Sequence, residues 1–478
     1  MEIGVFCPPP YLTSVNVLRR CRRYFSTMTS IPIRLAEAQA PRYTSYPTAP
    51  HFNAGVDSEL YRRWLAELPE DAPLSLYLHV PFCHQLCWYC GCHTGVANGY
   101  KRIGAYVGLL RQEIALLAEA LGPGRPVSGL HWGGGTPSIL SAEDFTAVMD
   151  DLHRAFAFQP DAEQAIEIDP RHLDAEKAAA LAAAGINRAS LGVQDFNPHV
   201  QEAINRVQPF AQTAAAARLL REAGIAALNF DLMYGLPYQS LEDVKQTAAL
   251  AADLHPQRIS VFGYAHVPWM KKHQQMIDTA ALPGADARLQ QAEAAERILL
   301  LRGYRAVGMD HFALPDDPLF RYADAGRLRR NFQGYTTDQA AVLLGLGVSS
   351  IGTLPQGYAQ NDKDTLGYAR ALAEGRLPVV RGIALTSEDR LRRDIIQALM
   401  CRFAVDLRAQ AVAHGRPGFD FSEALARLAP LADEGLVSVT GSKVAVSEEG
   451  KRAVRLIASC FDAYLQARGA DTRYSKAV

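Results

Sequence analysis

Four of the eight cysteines in this 478-residue chain fall within ten residues, as Cys83-His84-Gln85-Leu86-Cys87-Trp88-Tyr89-Cys90 followed by Gly91-Cys92. A structural zinc site usually draws on two chelating pairs a dozen or more residues apart, and no second CxxC or HxxxH pair accompanies this one. A two-cluster ferredoxin would show more C-x2-C spacing and a second cysteine set. Three thiolates on one loop can instead hold three irons of a [4Fe–4S] cube and leave the fourth iron open. An open iron can chelate the amino and carboxylate groups of S-adenosylmethionine, and an electron passed into the sulfonium then releases a 5′-deoxyadenosyl radical. Cys83, Cys87 and Cys90 are the expected ligands. Cys92 is expected not to be one, because a fourth thiolate would block the iron that the chemistry needs.

Such a loop needs a rigid support, and the surrounding sequence alternates β-rich runs with Ala/Leu-rich helical stretches, the pattern of βα units on a parallel sheet. Strands are predicted over 74–80, 127–133, 165–169, 189–194, 228–234, 258–264 and 304–310. Helices are predicted between them over 106–121, 142–155, 175–184, 209–223, 241–253 and 286–302, several ending at a glycine (Gly185, Gly224, Gly303). The predicted fold is α/β, a partial or complete parallel (β/α) barrel, whose chemistry belongs at the C-terminal ends of its strands. The cysteines follow the first strand at that end. Beyond Pro315 the alternation stops, and NFQGYTT (331–337) and LLGLGVSSIG (343–352) read as loop and strand beside a pocket. From Ser387 a mostly helical unit is expected, with a hairpin over 436–446 in the manner of a winged helix. The expected organisation is a leader and partly disordered extension over 1–40, a segment covering the active site over 41–73, the barrel over 74–360 and the helical domain over 361–478.

Composition narrows the function class. Lys+Arg number 49 against 50 Asp+Glu, and 49% of residues are hydrophobic, which excludes a disordered chain and gives no support for nucleic-acid binding. No apolar run reaches the ~18–20 residues that span a bilayer, so no membrane partner is expected. Cysteines crowded into one loop of a long chain fit a reducing cytoplasm. The first 27 residues carry Arg19, Arg20, Arg22 and Arg23 with Ser14 and Ser26 and one acid, Glu2, the composition of an organelle transit peptide, the alternatives being a poorly structured leader or an upstream start preceding Met28.

Further motifs extend the cysteine signal: PRYTSYPT (41–48), GGGTP (133–137), EIDP (167–170), LGVQDF (191–196), Asn205-Arg206, DLMYGLP (231–237), MDHFA (309–313) and RNFQGYTT (330–337). Together they resemble the oxygen-independent coproporphyrinogen III oxidases of the radical S-adenosylmethionine superfamily, over essentially all of residues 41–478. The resemblance implies oxidative decarboxylation of two propionates of coproporphyrinogen III to vinyl groups. It also implies a [4Fe–4S] cluster, two molecules of S-adenosylmethionine, an electron donor such as flavodoxin or ferredoxin, and a monomer.

By the same resemblance Tyr77, Gly134 and Glu167 serve the first S-adenosylmethionine, Tyr77 and Glu167 in catalytic positions, with Ile351 lining its adenine. Tyr89, Gly135, Thr136, Gln194, Arg206, Asp231 and Ala265 match positions that contact a second. Tyr89 departs from the phenylalanine common there, and Asp169 reads as structural. A tetracarboxylate substrate needs cationic donors, for which Arg42 and Arg330 are candidates. His79, His84, His131 and His311 are candidate proton carriers or plain core histidines. The alternatives are a related haem chaperone without decarboxylase activity, and a radical methyltransferase or haem-degrading relative. PRYTSYPT, Cys92 and RNFQGYTT favour the oxidase.

Overall fold

The computed structural model describes residues 31–467 and Tyr474. The Arg-rich leader therefore lies outside the described residues. Six parallel strands follow one another in sequence: β1 (Leu74–Val80), β2 (Arg125–Gly134), β3 (Phe156–Ile168), β4 (Arg188–Gln194), β5 (Ala227–Tyr234) and β6 (Arg258–Gly263). Each has a helix after it: α1 (Tyr100–Leu121), α2 (Ala142–Ala155), α3 (Ala175–Ala183), α4 (Phe210–Glu222), α5 (Leu241–Asp253) and α6 (Ala285–Leu301). The helices start where the sequence supplies oxygen caps. Ser141 accepts from the Asp144 amide, Asp174 from Lys177, and Ser240 forms a capping box with Asp243. Gly185 and Gly224 follow α3 and α4 at φ 94° and 100°, the left-handed turn that glycine allows at least cost.

The period of two along the strands assigns the two faces of the sheet. In β1, Leu74, Leu76, Leu78 and Val80 are fully buried in the apolar core shared with the helices, whereas Ser75, Tyr77 and His79 point the other way. On β2, Trp132 is wholly buried against Phe145 of α2, ring centres 4.9 Å apart. Truncating Trp132 to alanine would cost about 3–5 kcal/mol. On the opposite face, Ser75, Gly129, His131, Ala165, Glu167, Ser190, Asp231 and Ser260 all line one cavity of about 540 Å³. Residues from six strands share a cavity only if the sheet curls around it.

The curl does not close. The twelve-stranded sheet runs from β12 (Val379–Ala384) through β11 (Gly357–Asn361), β10 (Ile351–Leu354) and β9 (Val342–Leu346) to β1–β6, and ends on β8 (His311–Ala313) and β7 (Arg305–Val307). Two sequence expectations change here. The predicted strand over 304–310 is instead the antiparallel pair β7 and β8, because Gly308 turns the chain back at φ 62°. The seventh parallel strand is β9, which returns beside β1. The sheet also continues past residue 360 through β12, since Tyr358, Ala359 and Val379 find their apolar cover within it. Below the cavity, Arg188 and Arg258, the first residues of β4 and β6, alternate with Glu163 and Asp317 at 2.8–3.2 Å and seal that end.

The C-terminal part is mostly helical, with α7 (Ser387–Arg402), α8 (Leu407–Ala413) and α9 (Ser422–Asp433) around a small sheet. The predicted hairpin is present as β14 (Val437–Thr440) and β15 (Lys443–Val446), joined by β13 (Ala404–Asp406). Its apolar core includes Ile31, Ala36, Tyr43 and Tyr46 from the beginning of the described chain. Among the described residues no helix is long and apolar enough to cross a membrane.

Candidate active site at the strand C-termini

The cysteine loop leaves the C-terminal end of β1 and is tied to the end of β2. The Gly135 amide donates to the Val80 carbonyl and the Thr136 amide to the Phe82 carbonyl, both at 2.8 Å. Close approach is what the glycines permit. A Cβ on Gly135 would lie 2.5 Å from both the Phe82 oxygen and Thr94 Oγ1, and one on Gly133 would meet the Tyr77 ring at 2.9 Å. The loop then closes on itself, Phe82–Cys83 pairing with Gly95–Val96.

Each of the three thiols faces hydrogen-bond donors or cations. Cys83 Sγ lies 3.2 Å from Thr94 Oγ1 and 3.5 Å from Thr136 Oγ1. Cys87 Sγ accepts from Arg206 Nη1 at 3.4 Å and from Arg171 Nη2 at 3.8 Å. Cys90 Sγ accepts the Cys92 amide at 3.4 Å. The Cys92 thiol's hydrogen bond, helped by the nearby charges of His273 and Lys271, pulls the Cys90 pKa down to about 6 against the effect of burial. Burial pushes the Cys83 thiol up. Soft sulfur donors surrounded by N–H and O–H groups suit an iron–sulfur cube, whose charge such donors offset. Among the described residues no three His, Cys, Asp or Glu side chains converge on a point for a single ion. A cube, which spreads its thiolates over three irons, requires no such point.

Beside the loop, Tyr77, His79, His131 and Glu167 form one polar chain. His79 Nε2 donates to the His93 carbonyl at 2.9 Å, and burial holds the imidazole pKa near 4. Neutral His79 therefore carries its proton on Nε2 and accepts at Nδ1 from the Tyr77 hydroxyl, 3.0 Å away. Tyr77 stacks on His131, whose Nε2 donates to Glu167 Oε1 at 3.2 Å. The other oxygen of Glu167 accepts the Gly134 amide at 3.2 Å. With 40% of its side chain open to solvent, Glu167 keeps room for a ligand.

A second group gathers behind Cys87. Arg206, 7% exposed, donates to the Gly192 carbonyl at 2.7 Å and reaches Asp169 at 3.4 Å, while its Nε finds no protein acceptor. Burial would raise the Asp169 pKa, but the Arg171 hydrogen bonds and the Arg206 charge hold it at about 2. Asp169 is thus the hub of a buried ion triad. Gln194 ends β4 at φ 67°, a conformation uncommon outside glycine, which turns its side chain back toward Arg206. Asp231 lies in the cavity, accepting from Ser190 Oγ at 2.8 Å and Asn229 Nδ2 at 2.9 Å.

Tyr89 and Ala265 are brought together by a residue that the motifs do not mark. Gln274, 1% exposed, donates through Nε2 to the Tyr89 carbonyl at 2.9 Å and the Ala265 carbonyl at 3.3 Å, and its Oε1 accepts the Val267 amide at 2.6 Å. Its neighbours continue the strap. His273 Nε2 donates to the Cys90 carbonyl at 2.7 Å and Lys271 Nζ to the Cys92 carbonyl at 2.8 Å. The only sequence signal was a polar HQQ run after the sixth strand. Ile351 packs with Phe52, Tyr358, Ile383 and Leu385 at the antiparallel edge, and its backbone lies against Gly345, the strand partner of Tyr77. Of the remaining histidines, His84 packs at a tilt against His172, ring centres 4.1 Å apart, and His311 bonds Asp310 at 2.6 Å.

Residues 77–251 match the Radical SAM superfamily and residues 385–452 the HemN C-terminal domain. The oxygen-independent coproporphyrinogen III oxidase of Bradyrhizobium diazoefficiens is 50% identical over 91% of this chain and 97% of its own length. That of Paracoccus denitrificans is 45% identical over 90% and 95%. The solved structure of coproporphyrinogen III oxidase (HemN) from Escherichia coli, a radical SAM enzyme, matches with a TM-score of 0.85 at 41% identity, covering 89% of this chain and all of that one.

Proposed function

The chain belongs to the oxygen-independent coproporphyrinogen III oxidase family, and on that premise we propose that it converts two propionate side chains of coproporphyrinogen III to vinyl groups, giving protoporphyrinogen IX without O2. The observation that carries the reading is the 50% identity, over 91% of this chain, with an oxidase of that name, joined to a three-cysteine loop at the strand C-termini. The same identity favours the oxidase over the haem chaperone.

Cys83, Cys87 and Cys90 hold a [4Fe–4S] cluster. When bound, cluster and S-adenosylmethionine would supply a 5′-deoxyadenosyl radical able to take a hydrogen atom from a propionate β-carbon. Each vinyl group formed then accounts for one hydrogen atom passed to that radical, one CO2 released and one electron passed to a one-electron acceptor, the Cα–Cβ bond becoming the double bond. Glu167, already bonded to the Gly134 amide, accepts hydrogen bonds from the cofactor's amino or ribose groups. Tyr77 presents its ring beside them, fixed by donating to His79. Ile351 lines the adenine of this first S-adenosylmethionine. A second is held by Tyr89, Gly135, Thr136, Gln194, Arg206, Asp231 and Ala265, Arg206 offering its unpaired Nε. The two decarboxylations make a pair of cofactors chemically economical. An electron donor of the flavodoxin or ferredoxin class reduces the cluster. The polypeptide's part is to fix these groups and keep water from a carbon radical that would otherwise attack its surroundings.

The test is an anaerobic assay with coproporphyrinogen III, S-adenosylmethionine and a reductant. Release of CO2 with formation of protoporphyrinogen IX is expected. Haem transfer without decarboxylation would overturn the reading.

A further inference from the structure

Two arginines beside the site have no counter-ion in contact. Arg42 reaches solvent yet is ringed by protein, near enough to Asp310 and Arg330 to feel their charges. It makes no hydrogen bond or ion pair among the described residues. Arg330 lies with Nε and Nη1 buried and without an acceptor. Its guanidinium sits over the Tyr335 ring, 4.6 Å from the centroid, so its edge donors stay free in the plane. The local carboxylate, Asp310, is bonded to His311 at 2.6 Å instead.

The surroundings hold both arginines in place. Tyr335 is buried, donates to the Met400 carbonyl at 2.7 Å and meets His311 edge-on at 5.2 Å, so the platform under Arg330 is fixed. Arg42 is bolted on both sides. Arg455 Nε donates to the Pro41 carbonyl at 3.0 Å, and the Tyr43 hydroxyl donates to Asp462 at 3.0 Å. Arg455 adds a third guanidinium near the other two. Three guanidiniums gathered around one carboxylate, two of them unpaired, repel one another unless anions join them. Planar donor forks match carboxylates best.

We propose that Arg42 and Arg330 form the carboxylate-binding end of the substrate pocket, taking propionate carboxylates of the porphyrinogen, with Tyr335 and Arg455 as positioning residues. This assignment rests on the function proposed above and adds the residues that recognise the substrate's charge.

The test uses the reconstituted holoenzyme and coproporphyrin III, the air-stable aromatic form of the tetracarboxylate, titrated by fluorescence beside its tetramethyl ester. Arg42→Gln and Arg330→Gln are each expected to weaken coproporphyrin III binding by about 10- to 100-fold, the range for a lost charge-assisted hydrogen bond. Arg330→Lys should recover part of the loss. Ester binding and the iron–sulfur absorbance should stay at wild-type levels in all three. Wild-type affinity in both Gln variants, or equal weakening for acid and ester, overturns the assignment. The two readings fail separately. Wild-type enzyme that turns over coproporphyrinogen III while both Gln variants keep its KM refutes the arginine site alone. Loss of binding in the variants of a protein that never decarboxylates refutes the oxidase reading and leaves the carboxylate site standing.

Discussion

Replacing Gln274 by leucine removes three hydrogen bonds without changing the fold's apolar plan. The side chain is almost fully buried, and its amide joins the Tyr89 and Ala265 carbonyls and the Val267 amide at 2.9, 3.3 and 2.6 Å. A neutral hydrogen bond contributes about 1 kcal/mol net, and a buried partner left unpaired costs up to ~1–3 kcal/mol. Tyr89, Ala265 and Val267 are only half-buried, so water can reach the partners and the lower figure applies. Three bonds then amount to ~2–3 kcal/mol. The strap is one of the contacts that hold the cysteine loop shut, and the lost energy goes into local opening. Where reclosing outpaces chelation, the rate of iron loss follows the open population, which rises about 30- to 150-fold. The assay is the decay of iron–sulfur absorbance under a strong iron chelator, anaerobically, beside a thermal melt of each protein. Lys271→Met, which removes only one partly exposed contact, should change the rate by no more than a few fold. A Gln274→Leu protein that loses iron at the wild-type rate, or that loses it faster only in proportion to a global drop in melting temperature, would refute the strap.

Cys83→Ser should abolish both the brown iron–sulfur absorbance and the cleavage of S-adenosylmethionine, read by spectroscopy and by 5′-deoxyadenosine formation. Gly135→Ala puts a carbon 2.5 Å from the Phe82 carbonyl, so the cysteine loop must shift, and iron content after reconstitution should fall at least several-fold. A pH effect comes from Glu113 on α1, buried among the Gly347 amide, Asn361 Nδ2 and the Tyr368 hydroxyl at 2.5–2.6 Å. Burial raises its pKa from 4.5 to about 7, so between those values the folded chain holds a proton that the unfolded chain has released. Its stabilising contribution is complete below pH 4.5 and falls as pH rises toward 7, by ~2–4 kcal/mol across the window. Denaturant melts should show that slope in the wild type and lack it in Glu113→Gln.

The fold was readable because its two periodicities are clean. β1 alternates Leu with Ser, Tyr and His, and α2 and α5 begin and end at the predicted residues, since their caps are written into Ser141 and Ser240. The strand over 304–310 failed because the β-rich composition of Tyr304, Val307 and Met309 does not encode direction, and Gly308 reverses the chain there. The Cys83, Gly135 and Glu167 neighbourhood followed from strand-end position. Gln274 did not, because a glutamine in a polar loop carries no sign of being buried, and its three partners come from segments up to 185 residues away. Arg42 and Arg330 could be proposed from substrate charge, but their convergence on Asp310 depends on tertiary packing of distant segments.

The contacts around Arg42 also set a timetable. Tyr43 bonds Asp462 across a sequence separation of 419 residues, and Pro41 bonds Arg455 across 414. On the ribosome, where the chain grows at about 5–20 residues per second, the barrel and its cysteine loop emerge well before those partners do. A nascent chain can thus have its cysteine loop folded for several seconds while Arg42 still lacks its anchors. Completion of synthesis is what seats this arginine, so a product that ends before Arg455 carries the cysteine loop without the contacts that hold Arg42 in position.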